Sequence, residues 1–354
     1  MKRITLFATM ALVCATACQR VEWSESQVDA GSGSLVISVN SGQPLTKSNT
    51  DPAGQDAALH HVHVFLFKQD GSFYLRDSLG TDVKTRTLDG VKAGYYTVVA
   101  LANAPMLTVA SLSELEQAAI QLSDNDPTRG FLMYGVCGQT IAVVSGAAEP
   151  VTADIEVKRH VARVRLAGVT NNLPSDKGAL TVKGVFLENV LSRWTCSGAG
   201  KPASYLNYAG RKAGRNLESS ANSFIKTASD AVCASLTYQA VNQTVARGTS
   251  GETFDLPLYA FPNDCTEAND HFSGATADST RTRLVLLVSY GTPAEEWYYP
   301  VTLPDLARNT SYDVTFTISG PGSEDPNQRV VNGNLAVEIR IDPWASGGTI
   351  AGDF

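Results

Sequence analysis

Cys18 is the residue whose surroundings most clearly define a chemistry. A charged start at positions 2–3 is followed by an apolar run over residues 4–13, and small residues at 15–17 stand directly before the cysteine. This pattern is typical of a bacterial lipoprotein signal, in which a peptidase cuts before the cysteine and its sulfur receives a diacylglycerol. Because the apolar run is too short to cross a bilayer, we predict that residues 1–17 are a removed signal peptide and that lipid on Cys18 anchors the exported chain. An ordinary secretory signal with a spare cysteine is the alternative, and it also exports the chain.

Histidine and cysteine residues elsewhere in the sequence do not form a metal or redox motif. His61 and His63 would share one face of a strand, yet no third ligand follows at a suitable spacing, so we predict no metal site. Four cysteines follow Cys18, and no two of them form a C-x-x-C pair. We expect buried thiols or one structural disulfide in the second half, with the pairing left open, among these residues: Cys137, Cys196, Cys233 and Cys265.

Sequence signatures of catalysis are absent. The chain has no H-E-x-x-H or G-x-S-x-G motif, and its nearest imitation of a phosphate-binding loop, residues 198–201, continues into Pro202 instead of a hydroxyl residue. The formal net charge is -7, and loss of Lys2 and Arg3 with the signal makes it -9. Such an acidic surface argues against nucleic acid as a partner. We therefore predict a protein that is not an enzyme and that needs no cofactor.

Alternation of apolar and polar residues is the dominant pattern of the chain. It predicts a strand over residues 34–40, with Leu35, Ile37 and Val39 on one face, and a hairpin of strands 61–67 and 73–75. It also predicts a last strand over residues 335–341. Further strands are predicted over residues 95–101, 141–144, 180–190, 256–261, 284–288, 297–303 and 312–318.

The remaining elements complete the predicted architecture. Ser111 and Glu114 have the capping-box spacing, and apolar residues follow at helical intervals to Leu122, which predicts one helix. In the run over residues 151–166 the apolar parity changes, which predicts a bulge or bend near His160 and a domain junction close by. We predict a mainly β fold of two tandem antiparallel β-sandwiches with a short helix in the first. The predicted parts are a tether over residues 18–33, a first sandwich over 34–165 and a second over 166–354.

Short motifs spread over nearly the whole chain make it similar to the Bacteroidetes fimbrillins, the lipoprotein precursors of type V pili. Asp342-Pro343-Trp344 after the last strand resembles the minor-fimbrillin-like branch. The resemblance implies two transthyretin-like sandwiches, in agreement with the strand pattern. It rests on an ordered set of segments: the lipobox, an early strand, Phe65-Leu66-Phe67, and residues 98–103, 131–135, 157–164, 185–190, 258–263, 297–301 and 308–312.

The resemblance also implies an assembly mechanism. A lipidated precursor is carried to the cell outer membrane, and a trypsin-like surface protease cuts the loop after the first strand. The lost strand leaves a hydrophobic groove, which a strand from the next subunit fills. On this basis the removed strand contains Leu35, Ile37 and Val39, and the cut falls between Lys47 and Ser48, where the best-known pattern has arginine. A cut at Arg20 is an alternative that would leave the strand in place.

The same resemblance makes the last strand the candidate donor. Its aliphatic side chains, at about 1.5–3 kcal/mol each, would contribute roughly 6–12 kcal/mol of gross burial, and backbone pairing would fix their register. The alternative is that this strand closes the second sandwich of its own subunit, because alternation does not identify the neighbouring chain. The four candidate donor residues are Leu335, Val337, Ile339 and Ile341.

The function expected from these patterns is a structural or adhesive fimbrial subunit. Its implied partners are other fimbrial subunits, the processing protease and a host protein or glycan receptor. An uncleaved basal anchor or tip subunit is the alternative within the family. The alternative from another class is a monomeric surface lipoprotein that stacks sugar rings on exposed aromatic residues. The candidates for that role are Trp194, Tyr205, Tyr208, Trp297 and Tyr298.

Overall fold

A computed structural model describes residues 31–41, 58–81, 83–191, 193–198, 207–208 (backbone), 236–248, 251–263, 281–326 and 328–344. The protein is mainly β, as predicted. We call residues 31–161 the first half and residues 162–344 the second half. Among the described residues, no helix is long and apolar enough to cross a bilayer.

The described part of the first half contains ten strands, one short α-helix and one 3₁₀-helix (Leu122–Asp124). The helix α1 (Leu112–Gln117) begins as predicted, because the Ser111 side chain accepts a hydrogen bond from the Glu114 amide. It ends earlier than predicted, and residues 119–121 are extended. The strands are β1 (Ser32–Asn40), β2 (Val62–Lys68), β3 (Phe73–Leu79), β4 (Thr85–Lys92), β5 (Gly94–Ala102), β6 (Ala119–Gln121), β7 (Met133–Val136), β8 (Ile141–Val143), β9 (Val151–Glu156) and β10 (Lys158–Arg159).

Two sheets enclose the core of the first half. One has the order β4-β1-β9, and the other has the order β10-β7-β5-β2-β3 with β8 added to β5. The inward residues of β1 lie between the two sheets and pack against the apolar face of β2 and β5. β1 is antiparallel to β4 but parallel to β9. The predicted antiparallel sandwich is confirmed, and the parallel β1–β9 pair is an addition that alternation does not predict, because alternation reports which face is buried and not the direction of the neighbouring strand.

The described part of the second half contains eleven strands and one 3₁₀-helix (Ser175–Lys177). The strands are β11 (Ala162–Asn171), β12 (Leu180–Glu188), β13 (Val190–Leu191), β14 (Arg193–Thr195), β15 (Asn207–Tyr208), β16 (Tyr238–Val245), β17 (Glu252–Ala260), β18 (Arg283–Tyr290), β19 (Glu295–Thr302), β20 (Thr310–Ile318) and β21 (Leu335–Pro343). The predicted break near His160 is confirmed, because β9, β10 and β11 belong to three different sheets. The predicted boundary at residue 165 lies within β11.

The second half repeats the frame of the first. Its two four-stranded sheets have the orders β17-β11-β20-β21 and β16-β12-β18-β19. Like β1, β11 lies between an antiparallel neighbour, β17, and a parallel neighbour, β20. The pair of β14 with β6 links the halves, with Trp194 opposite Ile120.

One strand of the second half departs from its predicted face pattern. Leu180, Val182 and Phe186 are separated by even numbers of residues, so an uninterrupted strand would place them on one face, but the register of β12 against β18 shifts between Val182 and Gly184. This irregularity turns Phe186 to the opposite face, where it packs with Val285, and leaves Leu180 and Val182 in the main core.

Candidate functional site

The first candidate site is the position of β1 in its sheet. β1 is the first described strand, yet it is central, and later strands pair with both of its edges. Leu35 lies opposite Leu88 of β4 on one side and Val151 of β9 on the other. The β4 ladder continues to the Val39 amide, which donates to the Lys84 carbonyl at 2.8 Å. Loss of β1 would therefore leave two unpaired strand edges facing each other.

Burial of β1 indicates how much an empty position would cost. Leu35 and Ile37 are fully buried, and Val39 is 1% exposed. At about 1.5–3 kcal/mol each, these three side chains contribute roughly 5–9 kcal/mol of gross burial. Since a whole domain is stable by only about 5–15 kcal/mol, the fold could not tolerate an open position for long. A replacement strand with the same alternation would restore the burial.

The dimensions of the groove fit one strand. Neighbouring strands lie about 4.8 Å apart, so β4 and β9 would be separated by about 9.6 Å without β1. The floor of the groove is the apolar face of the opposite sheet. Its walls and floor include these buried residues: Leu88, Val91, Ala153, Ile155, Val62, Val64, Leu66, Val98 and Ala100.

The second candidate site is β21, the predicted donor strand. All nine residues of β21 pair with β20, and the strand forms an edge of the sheet. In this conformation β21 closes the sheet of its own subunit, which is the arrangement of the alternative reading. Its aliphatic residues Leu335, Val337, Ile339 and Ile341 are only half-buried against the core. Part of the apolar surface of these four side chains therefore stays exposed in this conformation.

A third feature is the joint between the halves, formed around Arg308 and His160. The Arg308 guanidinium donates to four backbone carbonyls: Nη2 to Lys158 at 2.9 Å and to Tyr134 at 3.3 Å, Nη1 to Ser197 at 3.1 Å and Nε to Arg159 at 3.3 Å. Burial lowers the pKa of Arg308. A planar fork with five donors suits this cluster of carbonyls, so Arg308 ties both halves together.

His160 lies in the same joint with an unusual environment. It is fully buried, and neither ring nitrogen has a hydrogen-bond partner among the described residues. Burial, with the Arg308 cation as a smaller contribution, holds the pKa of His160 well below its ordinary value. The nearby Cys196 thiol is also buried, and burial raises its pKa to about 12. These groups stay neutral at physiological pH, and their placement indicates a structural role.

Several sequence-predicted residues fall outside the described residues or outside these sites. Cys18, Lys47, Ser48, Cys233, Cys265 and Tyr205 lie outside the described ranges. Cys137 and Cys196 are buried free thiols. His61 contacts the Ala104 carbonyl and His63 contacts the Ser78 hydroxyl, each at 2.9 Å, and no group of three metal-ligating side chains occurs among the described residues.

The aromatic residues proposed for glycan stacking belong largely to the core. Trp194 is 4% exposed and Tyr298 is 1% exposed. Trp297 is half-buried and stacks on Tyr290 with ring centroids 6.2 Å apart. Only the backbone of Tyr208 is described. Trp194, Tyr298 and the stacked Trp297 therefore offer little surface for a sugar ring.

Sequence reasoning did not single out Arg308 or Trp344 as parts of a joint. Arg308 appeared only within a family motif, and its partners lie 111 to 174 residues away in sequence. No local pattern identifies such partners.

The fold is that of bacterial fimbrial subunits. A fimbrillin from Porphyromonas gingivalis W83 superposes with a TM-score of 0.63 at 15% identity, covering 91% of this chain and 99% of that chain. The tip fimbrial protein Mfa3 from Porphyromonas gingivalis superposes with a TM-score of 0.51 at 11% identity, covering 88% of this chain and 99% of that chain. At these identities the similarity defines the fold alone.

The family is defined by sequence. The profile described as fimbrillin-A associated anchor proteins Mfa1 and Mfa2 matches residues 33–346, which is most of the chain, and the protein belongs to this family. The resemblance to the fimbrillins is thereby confirmed. No curated protein sequence matches the chain.

Proposed function

We propose that this fimbrial protein is a type V pilus subunit that is exported as a lipoprotein on Cys18 and polymerises by strand exchange at the outer membrane. A surface protease of trypsin-like specificity cuts between Lys47 and Ser48 and frees β1. A strand from the next subunit then takes the place of β1 between β4 and β9. The observation that carries the proposal is the central, buried position of an N-terminal strand that precedes Lys47 in sequence.

The donor strand in this proposal is β21. Its inward residues recur every second position, as do Leu35, Ile37 and Val39 in β1, so the two strands can present the same face to one groove. Half-burial in its own sheet means that transfer to a closed groove increases the buried apolar area of β21. Backbone pairing on both edges instead of one adds hydrogen bonds and slows dissociation.

An uncleaved basal anchor is the second candidate within the family. The family description names anchor proteins, and all nine residues of β21 pair within their own sheet. An anchor would keep β1, the lipid and a closed first half. Burial of Trp194 and Tyr298 lowers the support for the third candidate, a glycan-binding monomer.

The test is the intact mass and N-terminal sequence of the protein recovered from its native cell surface. A chain that begins at Ser48, within a polymer, is the expected result. A chain that begins at a lipidated Cys18 and is found only at the base of fibres would replace the polymerising subunit with the anchor. A lipidated monomer in cells that make no fibres would contradict both.

A further inference from the structure

Trp344 directly follows β21 and reaches into the joint between the halves. Its backbone amide donates to the Asn309 carbonyl at 3.0 Å, which extends the β20–β21 ladder by one residue. Its ring lies 5.8 Å from the Tyr259 ring with an interplanar angle of 17°, and 5.5 Å from the Phe131 ring in an edge-to-face arrangement. The end of β21 is therefore fixed by an aromatic anchor.

Two arginines complete the set of side chains around the Trp344 ring. We call this set, Phe131, Tyr259, Arg159 and Arg163, the seat of Trp344. The Arg159 guanidinium carbon lies 4.5 Å from the centre of the indole ring, and that of Arg163 lies 5.1 Å from it. Arg159 also donates to the Asn309 side chain at 2.9 Å. Phe131 and Arg159 belong to the first half, whereas Tyr259 and Arg163 belong to the second. Both halves must be in place to form the whole seat.

The seat also joins opposite edges of one sheet. Tyr259 of β17, Arg163 of β11, Ser311 of β20 and Asp342 of β21 lie in one row across the four strands. The row spans three strand spacings, or about 14 Å. Because Trp344 leaves β21 at one edge and stacks on Tyr259 at the other, it holds the edge strand across the width of the sheet.

Two polar atoms at this end of β21 lower the stability of the conformation in which β21 stays on its own sheet. The Trp344 indole Nε1 and the Asp342 Oδ1 are buried and have no hydrogen-bond partner among the described residues. Each would gain a partner from water if the strand left, since a buried donor or acceptor without a partner is costly. The ring contacts of Trp344 oppose that release.

We propose that Trp344 is a latch that retains β21 on its own subunit, and that opening of the joint between the halves releases it. The proposal rests on the proposed function, in which β21 is the donor strand. Stacking and cation–π contacts would be lost together when the joint opens, because Phe131 and Arg159 move away with the first half. The device would keep the donor strand protected before assembly.

The test is native-state hydrogen exchange of β21 amides in the unpolymerised full-length chain. In Trp344→Ala, we expect exchange of β21 to rise at least about tenfold, with little change in β11 and β17. Trp297→Ala is the matched control, because Trp297 is also half-buried, stacked on a tyrosine and without an acceptor for Nε1 among the described residues, but lies on β19 in the other sheet. It should leave β21 exchange unchanged.

Two conservative variants separate the parts of the latch and guard against misfolding. Trp344→Phe, which keeps a smaller ring, should give an intermediate increase in β21 exchange. Phe131→Leu should also raise it, since that change removes a first-half contact while it keeps an apolar side chain. Unchanged β21 exchange in Trp344→Ala, or equal increases throughout the sheet, would overturn the latch. If β21 exchange rises in Trp344→Ala but stays unchanged in Phe131→Leu, the claim that the joint between the halves controls the latch would be overturned. Because the assay uses monomer, absence of fibres would count against the proposed function and not against the latch.

Discussion

The Val157 amide donates a 2.8 Å hydrogen bond to the Asn40 carbonyl, so the last residue of β1 holds the segment that leads into the joint. Two residues later, the Arg159 guanidinium lies over the ring of Trp344, the residue that directly follows β21. The strand proposed to leave and the strand proposed to be donated are thus connected through a short run of chain. Loss of β1 would remove the acceptor of the Val157 amide.

Substitution of the proposed cut-site lysine should stop processing. In Lys47→Ala, we expect full-length lipoprotein on the membrane and no polymer, because a trypsin-like protease needs a basic residue at the cut. Immunoblots of membrane and fibre fractions, with an antibody against this protein, measure the full-length lipoprotein and the polymer. Arg20→Ala is the control and should process normally. Normal fibres made by Lys47→Ala would show that the cut lies elsewhere.

Truncation of a buried β1 side chain should destabilise the full-length chain. Ile37→Ala should lower the free energy of unfolding by about 2–5 kcal/mol, since Ile37 is fully buried in the first-half core. Urea denaturation measures this loss. Ser38→Ala, on the opposite face of the same strand, should change it by less than about 1 kcal/mol. Equal effects of the two changes would mean that β1 is not held by its inward face.

A charge on the inward face of β21 should block donation. Ile339→Asp is expected to give a processed subunit that folds but does not polymerise, because an aspartate would be buried unpaired in the groove of the next subunit. Far-ultraviolet circular dichroism and electron microscopy check folding and fibres. Glu338→Gln, on the exposed face, should polymerise normally. If Ile339→Asp cannot fold as a monomer, β21 serves chiefly as the closing strand of its own sheet.

Removal of the Arg308 guanidinium should loosen the joint. Arg308→Gln should lower the free energy of unfolding by roughly 3 kcal/mol, because four backbone carbonyls, three of them in partly buried hydrogen bonds, lose their charged donor. Thermal and urea unfolding measure the change. Arg129→Gln breaks an exposed ion pair with Asp126 and should cost no more than about 1 kcal/mol. A loss as small as that of the control would contradict a structural role for Arg308.

Protonation of His160 should destabilise the protein in mild acid. The folded pKa lies well below the ordinary 6.5, so the unfolded state binds more protons, and stability rises with pH from the folded pKa up to about 6.5. The slope contributed by this one group is at most about 1.4 kcal/mol per pH unit. Below pH 6.5, the melting temperature of His160→Phe should fall less with acidification than that of the wild type.

Glu188 is a second buried group that contributes to the pH dependence of stability, so the wild type must be compared with His160→Phe. Burial raises the pKa of Glu188 to about 7, and a raised carboxyl pKa contributes the opposite slope, with stability falling as pH rises from about 4.5 to 7. The difference between wild type and His160→Phe isolates the histidine. Identical profiles for the two proteins would show that His160 does not titrate on unfolding.

Strands with clean alternation were located most closely from the sequence, and one strand with interrupted alternation was missed. The pattern located β1, β2, β20 and β21 closely. It missed β4, in which the inward residues Leu88 and Val91 are three positions apart, because Gly90 adopts a φ of 72° and forms a bulge opposite β1. A bulge changes the period that the prediction depends on.

Sequence by itself determined the β class, the helix start at Ser111 and the family, because alternation, capping and short motifs are local properties of the chain. Tertiary structure decided the parallel neighbours of β1 and β11, the seat of Trp344 and the four carbonyls around Arg308. These contacts join residues far apart in sequence, such as Arg159 and Asn309, 150 positions apart. Which distant groups meet depends on how the two sheets of each half pack, and a local pattern carries no record of that packing.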